Sequence, residues 1–122
     1  MDEFDRVAPW IELVLKEGGN THSLADIRRA VDENKIQLMT APHAAIMLEI
    51  IVYPNLKALR VIGAGGESNE ALEEVKRFAH ALPEIAKALG CSRFEWGGRP
   101  GWVRILKELG MTSQTIMFKD VA

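Results

Sequence analysis

A chain of 122 residues and 13.6 kDa can bury one hydrophobic core and is too short for two, so it reads as a single domain over residues 1–122. With 48% hydrophobic and 26% charged residues, its composition excludes a disordered chain. A formal net charge of −2 and a pI near 5.9 exclude general attraction to nucleic acid or to an anionic membrane, and either partner would need a local basic patch.

The N-terminal MDEFDRVAPW is acidic where a secretory leader would be basic and apolar. Phe4, Val7, Ala8, Ile11, Val14 and Leu15 recur at three- and four-residue spacing, which predicts a helix ended by Gly18-Gly19. Ser23, with Asp26 three residues on, begins a second helix that carries Leu24, Ile27, Ala30 and Val31 and runs to about Glu33. From Ile36 the period changes. Ile36–Thr40, Ala44–Tyr53 and Leu56–Ile62 are rich in β-branched and large apolar residues, and Ala41-Pro42-His43 and Pro54-Asn55 separate them, which predicts an antiparallel three-stranded meander. The middle run is interrupted by Glu49 and is half the ~20 residues a membrane-spanning helix needs, so it is a core strand.

At Gly63-Ala64-Gly65-Gly66 the third apolar run stops and an amphipathic helix pattern begins. A strand, glycine loop and helix in succession can present backbone N–H groups and a helix dipole to a phosphate-bearing ligand. The helix stripe is Leu72, Val75, Phe78, Ala79 and Leu82, which Pro83 should break or kink before Ile85, Ala86 and Leu89 continue it up to Gly90. Cys91–Trp96 reads as a buried strand, residues 97–101 as a turn, Trp102–Leu109 as a helix stopped by Gly110, and Met111–Phe118 as a final strand. The lone Cys91 has no partner for an internal disulfide, which suits a cytoplasmic protein and equally one packaged after cytoplasmic synthesis.

This order implies an α/β (α+β) fold with one mixed central sheet flanked by helices. It resembles the fold of GCN5-related N-acetyltransferases (GNAT) with the first strand missing. Two segments carry the resemblance: Arg60-Val61-Ile62-Gly63-Ala64-Gly65, similar to the family's acyl-CoA pattern R/Q-x-x-G-x-G/A, and residues 102–111, similar to its late helix ending in L-G-F. More narrowly, GGNTHSLADI, EIIVYPNLKALRV, GCSRFEWGGRPGW and ELGM together resemble small GNAT-like proteins encoded by tailed phages and prophages. The resemblance implies acetyl-CoA as the cofactor, with Ile62, Gly63, Ala64, Gly65 and Gly66 at its pyrophosphate. Glu49, alone in an apolar strand, would then be the general base for an amine acceptor.

Three features depart from that pattern. Arg60 falls inside the predicted strand, so the motif is out of step with the loop, and a structural glycine turn accounts for the same residues. Glu67, Glu70, Glu73 and Glu74 crowd the helix start, where they favour the dipole and repel a pyrophosphate. The family's frequent tyrosine four residues before Gly110 is replaced by Leu106, and the only tyrosine is Tyr53. These departures favour a phage accessory or virion-associated binding module that has lost catalysis over an acyl-CoA N-acyltransferase.

His22, His43 and His80 lack ligand spacing with Cys91, so no metal site is expected. Arg93, Arg99 and Arg104 gather around Trp96 and Trp102; three arginines on a slightly acidic domain argue more for a rim than for nucleic-acid binding. Arg99 and Trp102 are the candidate protein contacts, since arginine and tryptophan are enriched at interface hot spots. A homodimer is expected as well, because Trp10 is left over once the first helix's stripe is assigned.

Overall fold

The computed structural model describes residues 2–98 and 101–121. Helix α1 (Glu3–Glu17) starts where the Asp2 carboxylate accepts the N–H of Asp5 and stops at Gly18, whose N–H donates to the carbonyl of Val14. Helix α2 (Leu24–Asp32) begins with a complete capping box: Ser23 Oγ accepts the Asp26 N–H at 3.1 Å, and Asp26 accepts the Ser23 N–H at 2.8 Å. Arg28 joins the two helices, donating to Asp2 at 2.6 Å while lying over the Phe4 ring at 4.9 Å.

Strands β1 (Gln37–Thr40), β2 (Ala44–Val52) and β3 (Lys57–Gly66) form the expected antiparallel meander, and β4 (Arg93–Trp96) adds parallel to β3, in the order β1-β2-β3-β4. No strand precedes α1 among the described residues, so β1 and β4 are the two sheet edges. Between β3 and β4 lies α3 (Ser68–Ala88), and α4 (Gly101–Lys107) follows β4. No helix among the described residues is long and apolar enough to cross a membrane.

Alternation along the strands explains why five consecutive residues of β2, Ala44 to Leu48, are all buried. Ala44, Ile46 and Leu48 face α3 together with Leu59 and Val61, against Ala71, Val75, Leu82 and Ala86. Ala45 and Met47 face the opposite way, against Phe4, Val7, Ile11 and Ile27 of α1 and α2. The sheet is thus covered on both sides. The Ala41-Pro42-His43 turn is held from both layers: Arg6 of α1 donates to the carbonyls of Ala41 and Pro42, and Glu74 of α3 accepts the His43 N–H at 2.7 Å.

Four sequence expectations are corrected. Met111–Phe118 is not a strand; residues 112–121 are exposed, pair with no strand and carry no regular structure. Of the break or kink expected at Pro83, the break is absent: α3 is one continuous helix, with Pro83 exposed and Val75, Leu82 and Ala86 holding both halves against the sheet. Trp10 is not left over, since it packs half-buried on the α1 core with Arg6 stacked over its ring at 5.6 Å. The fourth correction concerns the glycine segment.

Candidate functional site

Gly63-Ala64-Gly65-Gly66 is not a loop. It is the last part of β3, paired with Met47, Ile46, Ala45 and Ala44 of β2. A bulge makes this arrangement: Met47 pairs with Gly63 but Leu48 pairs with Val61, so Ile62 is an extra residue. The bulge reverses the alternation beyond it. Ile62 joins the α1 core and Gly63 and Gly65 turn to the same side, while Ala64 turns to α3.

Each of these glycines is required by a close approach. A Cβ on Gly63 would stand 2.6 Å from Val14 Cγ1, and one on Gly65 would stand 2.8 Å from Val14 Cγ2 and 3.1 Å from the Trp10 carbonyl oxygen. On Gly66 it would meet the His43 carbonyl oxygen at 2.2 Å. Their lack of side chains lets α1, the β1–β2 turn and α3 sit directly on the strand.

The junction between β3 and α3 is therefore the single residue Glu67, whose N–H donates to the His43 carbonyl at 2.9 Å. Ser68 takes a left-handed conformation (φ 72°), and its hydroxyl donates to the Glu70 carboxylate. That bond and the N–H of Glu70 itself hold the Glu70 carboxyl below the usual glutamate range. A carboxylate of the chain thus already occupies the start of α3, where the helix dipole favours a negative charge.

β3 and β4 pair only from Ala58–Arg93 to Val61–Trp96, ending with the Gly97 N–H donating to the Val61 carbonyl at 2.9 Å. β4 ends at this point, and Gly63–Gly66 has a strand partner on the β2 side alone among the described residues. Trp96 and Trp102 lie close by, with ring centroids 5.3 Å apart, and the Trp96 indole N–H is buried without an acceptor among the described residues. A cleft of about 280 Å³ between α3 and α4 is lined by Leu72, Gly101, Trp102 and Ile105. Trp102, a candidate contact, is thus half-buried against the α3 core; Arg99 lies outside the described residues.

On the opposite face, a second cavity of about 230 Å³ has an apolar floor that includes Leu15, Ile27, Met47 and Ile62 and a polar rim of Thr21, His22, Glu49 and Arg60. Glu49 is half-buried there, directly across from Arg60 in the β2–β3 register. Arg60 does not pair with it. The guanidinium turns instead to Glu95 at 2.9 Å and donates to the Tyr53 hydroxyl at 3.1 Å, while that hydroxyl donates to Glu95 at 3.0 Å. Glu49 consequently has no ion pair among the described residues.

Sequence reasoning singled out Glu49 and missed Arg60–Tyr53–Glu95. The available signal was alternation, since Phe94 and Trp96 in the α3 core force Glu95 onto the face that Arg60 shares. His22 is held by the Thr21 hydroxyl, 2.8 Å from Nδ1, at the mouth of the same cavity. No group of three His, Cys, Asp or Glu side chains among the described residues could hold a metal ion.

A mixed four-stranded sheet with two helices before its antiparallel meander and one between its parallel strands has a GNAT-like fold. Solved structures place the chain there. It is similar to an acetyltransferase of Trypanosoma brucei (14% identity, 100% of this chain and 96% of that one, TM-score 0.68). It is also similar to glucosamine-6-phosphate N-acetyltransferase of Arabidopsis thaliana (15%, 99% and 94%, TM-score 0.64) and to a GNAT family acetyltransferase of Staphylococcus aureus (12%, 100% and 95%, TM-score 0.60). At these identities the likeness is one of fold, and it carries no link to phage proteins. No protein-family model and no curated protein sequence matches the chain.

Proposed function

We propose that this GNAT-fold protein is a binding module that does not turn over acyl-CoA, serving as an accessory or virion-associated component of a phage or prophage. The observation that carries the loss of turnover is the start of α3. A one-residue junction leaves little free backbone to wrap a pyrophosphate, and the Glu70 carboxylate, held by Ser68, fills the position where an anion would bind. Gly63 and Gly65, which would supply loop amides, are accounted for by the seating of α1. The phage setting rests on the sequence resemblance alone.

A second reading, an acetyl-CoA-dependent N-acyltransferase, draws support from two observations. β3 runs past the end of β4, and the edge this leaves free among the described residues is one on which an extended cofactor arm could lie. Glu49, which has no ion pair among the described residues, stands on the polar rim of the second cavity, where a carboxylate could take a proton from an amine.

Isothermal titration of the intact chain with acetyl-CoA and with free CoA separates the two. The binding-module reading expects no saturable heat and an unchanged melting temperature at millimolar ligand. Micromolar binding, followed by acetyl transfer that disappears in Glu49→Gln, would overturn it in favour of the transferase.

A further inference from the structure

The cavity beside the α1–α2 loop carries a charge that the fold leaves without a counter-ion. Its floor is hydrocarbon, with Leu15 of α1, Ile27 of α2, Met47 of β2 and Ile62 at the bulge, and of these Ile27 and Met47 are almost fully buried. Glu49 stands half-buried on the rim, and its carboxylate makes no hydrogen bond or ion pair among the described residues.

The cation that would neutralise Glu49 is close by and engaged elsewhere. Arg60 lies directly across from Glu49 in the β2–β3 register and lines the same cavity. Its Nε donates to Glu95 at 3.0 Å, and its Nη2 lies 2.9 Å from the same carboxylate oxygen and donates to the Tyr53 hydroxyl at 3.1 Å. Tyr53 in turn donates to Glu95, so the three side chains close on one another. Arg93 reaches the second Glu95 oxygen at 3.7 Å and does not line the cavity. Opposite charges across a strand pair attract, and here a carboxylate from β4 competes that attraction away.

The geometry points to a cavity that takes a small aliphatic cation, its ammonium group against Glu49 and its chain on the floor, with Glu95 and Tyr53 setting this preference by holding Arg60 off Glu49. This deepens the binding-module reading by naming what the module holds. A cavity of about 230 Å³ has room for about seven or eight non-hydrogen atoms at the volume share of liquid water, which is the size of hexylammonium. Each methylene laid on the floor should tighten binding about fourfold. An anion gains little from Arg60, whose charge Glu95 already meets, and is repelled by Glu49.

The test titrates the intact chain with hexylammonium, butylammonium, 1-hexanol and hexanoate, read by calorimetry and by methyl NMR. Hexylammonium should bind one to one and saturably, with shifts at the methyls of Ile27, Met47 and Ile62. Butylammonium should bind about fifteenfold more weakly, hexanol at least tenfold more weakly, and hexanoate not at all. Glu49→Gln should weaken hexylammonium at least tenfold with an unchanged far-UV spectrum. Glu95→Ala frees Arg60 to turn to Glu49 and should weaken it at least fivefold, while Arg60→Gln combined with Glu95→Ala should return it to within twofold of wild type. No saturable hexylammonium binding, equal affinity for hexanol or hexanoate, or an unchanged affinity in Glu49→Gln or Glu95→Ala would overturn the inference. So would a loss in Glu95→Ala that persists in the double variant. The expected pattern would support the inference even if added acetyl-CoA then acetylated hexylamine, an outcome that overturns the binding-module reading alone.

Discussion

Replacing each glycine of β3 by alanine separates a packing role from a ligand-binding one. Gly65→Ala puts a methyl 2.8 Å from Val14 Cγ2 and 3.1 Å from the Trp10 carbonyl, so α1 must lift by several tenths of an ångström. Overpacking of this kind costs about 1–3 kcal/mol, partly offset by about 0.4–1 kcal/mol from reduced freedom of the unfolded chain. The net loss is about 1–2 kcal/mol, a fall in Tm of about 4–8 °C for a chain of this size. Gly66→Ala meets the backbone oxygen of His43 at 2.2 Å, which no rotamer can relieve, so it should cost about 3 kcal/mol or more. Gly63→Ala meets only the ends of Val14 and Met47 and should cost less than Gly65→Ala. Gly101→Ala meets nothing within 4 Å and should stay within about 0.5 kcal/mol of wild type. Thermal and urea unfolding of the four variants should give the order Gly66, Gly65, Gly63, Gly101, and Val14→Ala should restore part of the loss in Gly65→Ala. An unchanged Tm in Gly65→Ala, accompanied by weakened acetyl-CoA affinity, would refute the reasoning and return the glycines to a ligand-binding role.

Glu74→Ala should cost about 1–3 kcal/mol in urea unfolding, because it leaves the His43 N–H without its acceptor, and Glu74→Gln should cost less by keeping one. Glu95→Ala removes the shared acceptor of Arg60 and Tyr53 and should cost a similar amount, whereas Tyr53→Phe should cost about 1 kcal/mol, both read from the same unfolding curves. Ser23→Ala should lower stability by about 1 kcal/mol through loss of the α2 cap, seen as a lower urea midpoint with an unchanged slope. Acid should destabilise the fold through the same termini. The Asp5 N–H on Asp2, Arg6 on Glu3, the Ser23 N–H on Asp26 and Ser68 on Glu70 hold these carboxyls below their ordinary values of 3.8 and 4.5. The unfolded chain therefore binds more protons across that window. Their contribution is complete above the ordinary values and is lost as pH falls through the lower folded ones. Tm measured between pH 6 and 2.5 should drop below about pH 4, with a shallower drop in Asp26→Asn.

Most of the element order was legible because it depends on local chemistry. Ser23 and Asp26 are close enough in sequence to make a cap by themselves, Gly18 disfavours a further helical turn, and the apolar run that begins at Ala44 is satisfied by burial of Ala44–Leu48 on both faces of a sheet. The candidate site was legible in part. Glu49 was found because it interrupts an apolar strand, and the structure lines a cavity with it; Arg60 and Glu95 were missed because their meeting needs two strands 35 residues apart to lie parallel. The glycine segment was misread for a related reason. A loop that binds an anion and a strand that seats a helix both need residues without side chains, and only the bulge at Ile62 turns Gly63 and Gly65 toward Val14 and Trp10. Likewise Ile116–Phe118 has the composition of a strand, but a strand needs a partner ladder, and whether one is within reach is a property of the assembled chain. The sequence by itself therefore determined where elements begin, end and become amphipathic, because those outcomes follow from groups a few residues apart. The tertiary structure alone decided what each glycine and each charge faces, because that depends on register and on which layer closes over the sheet.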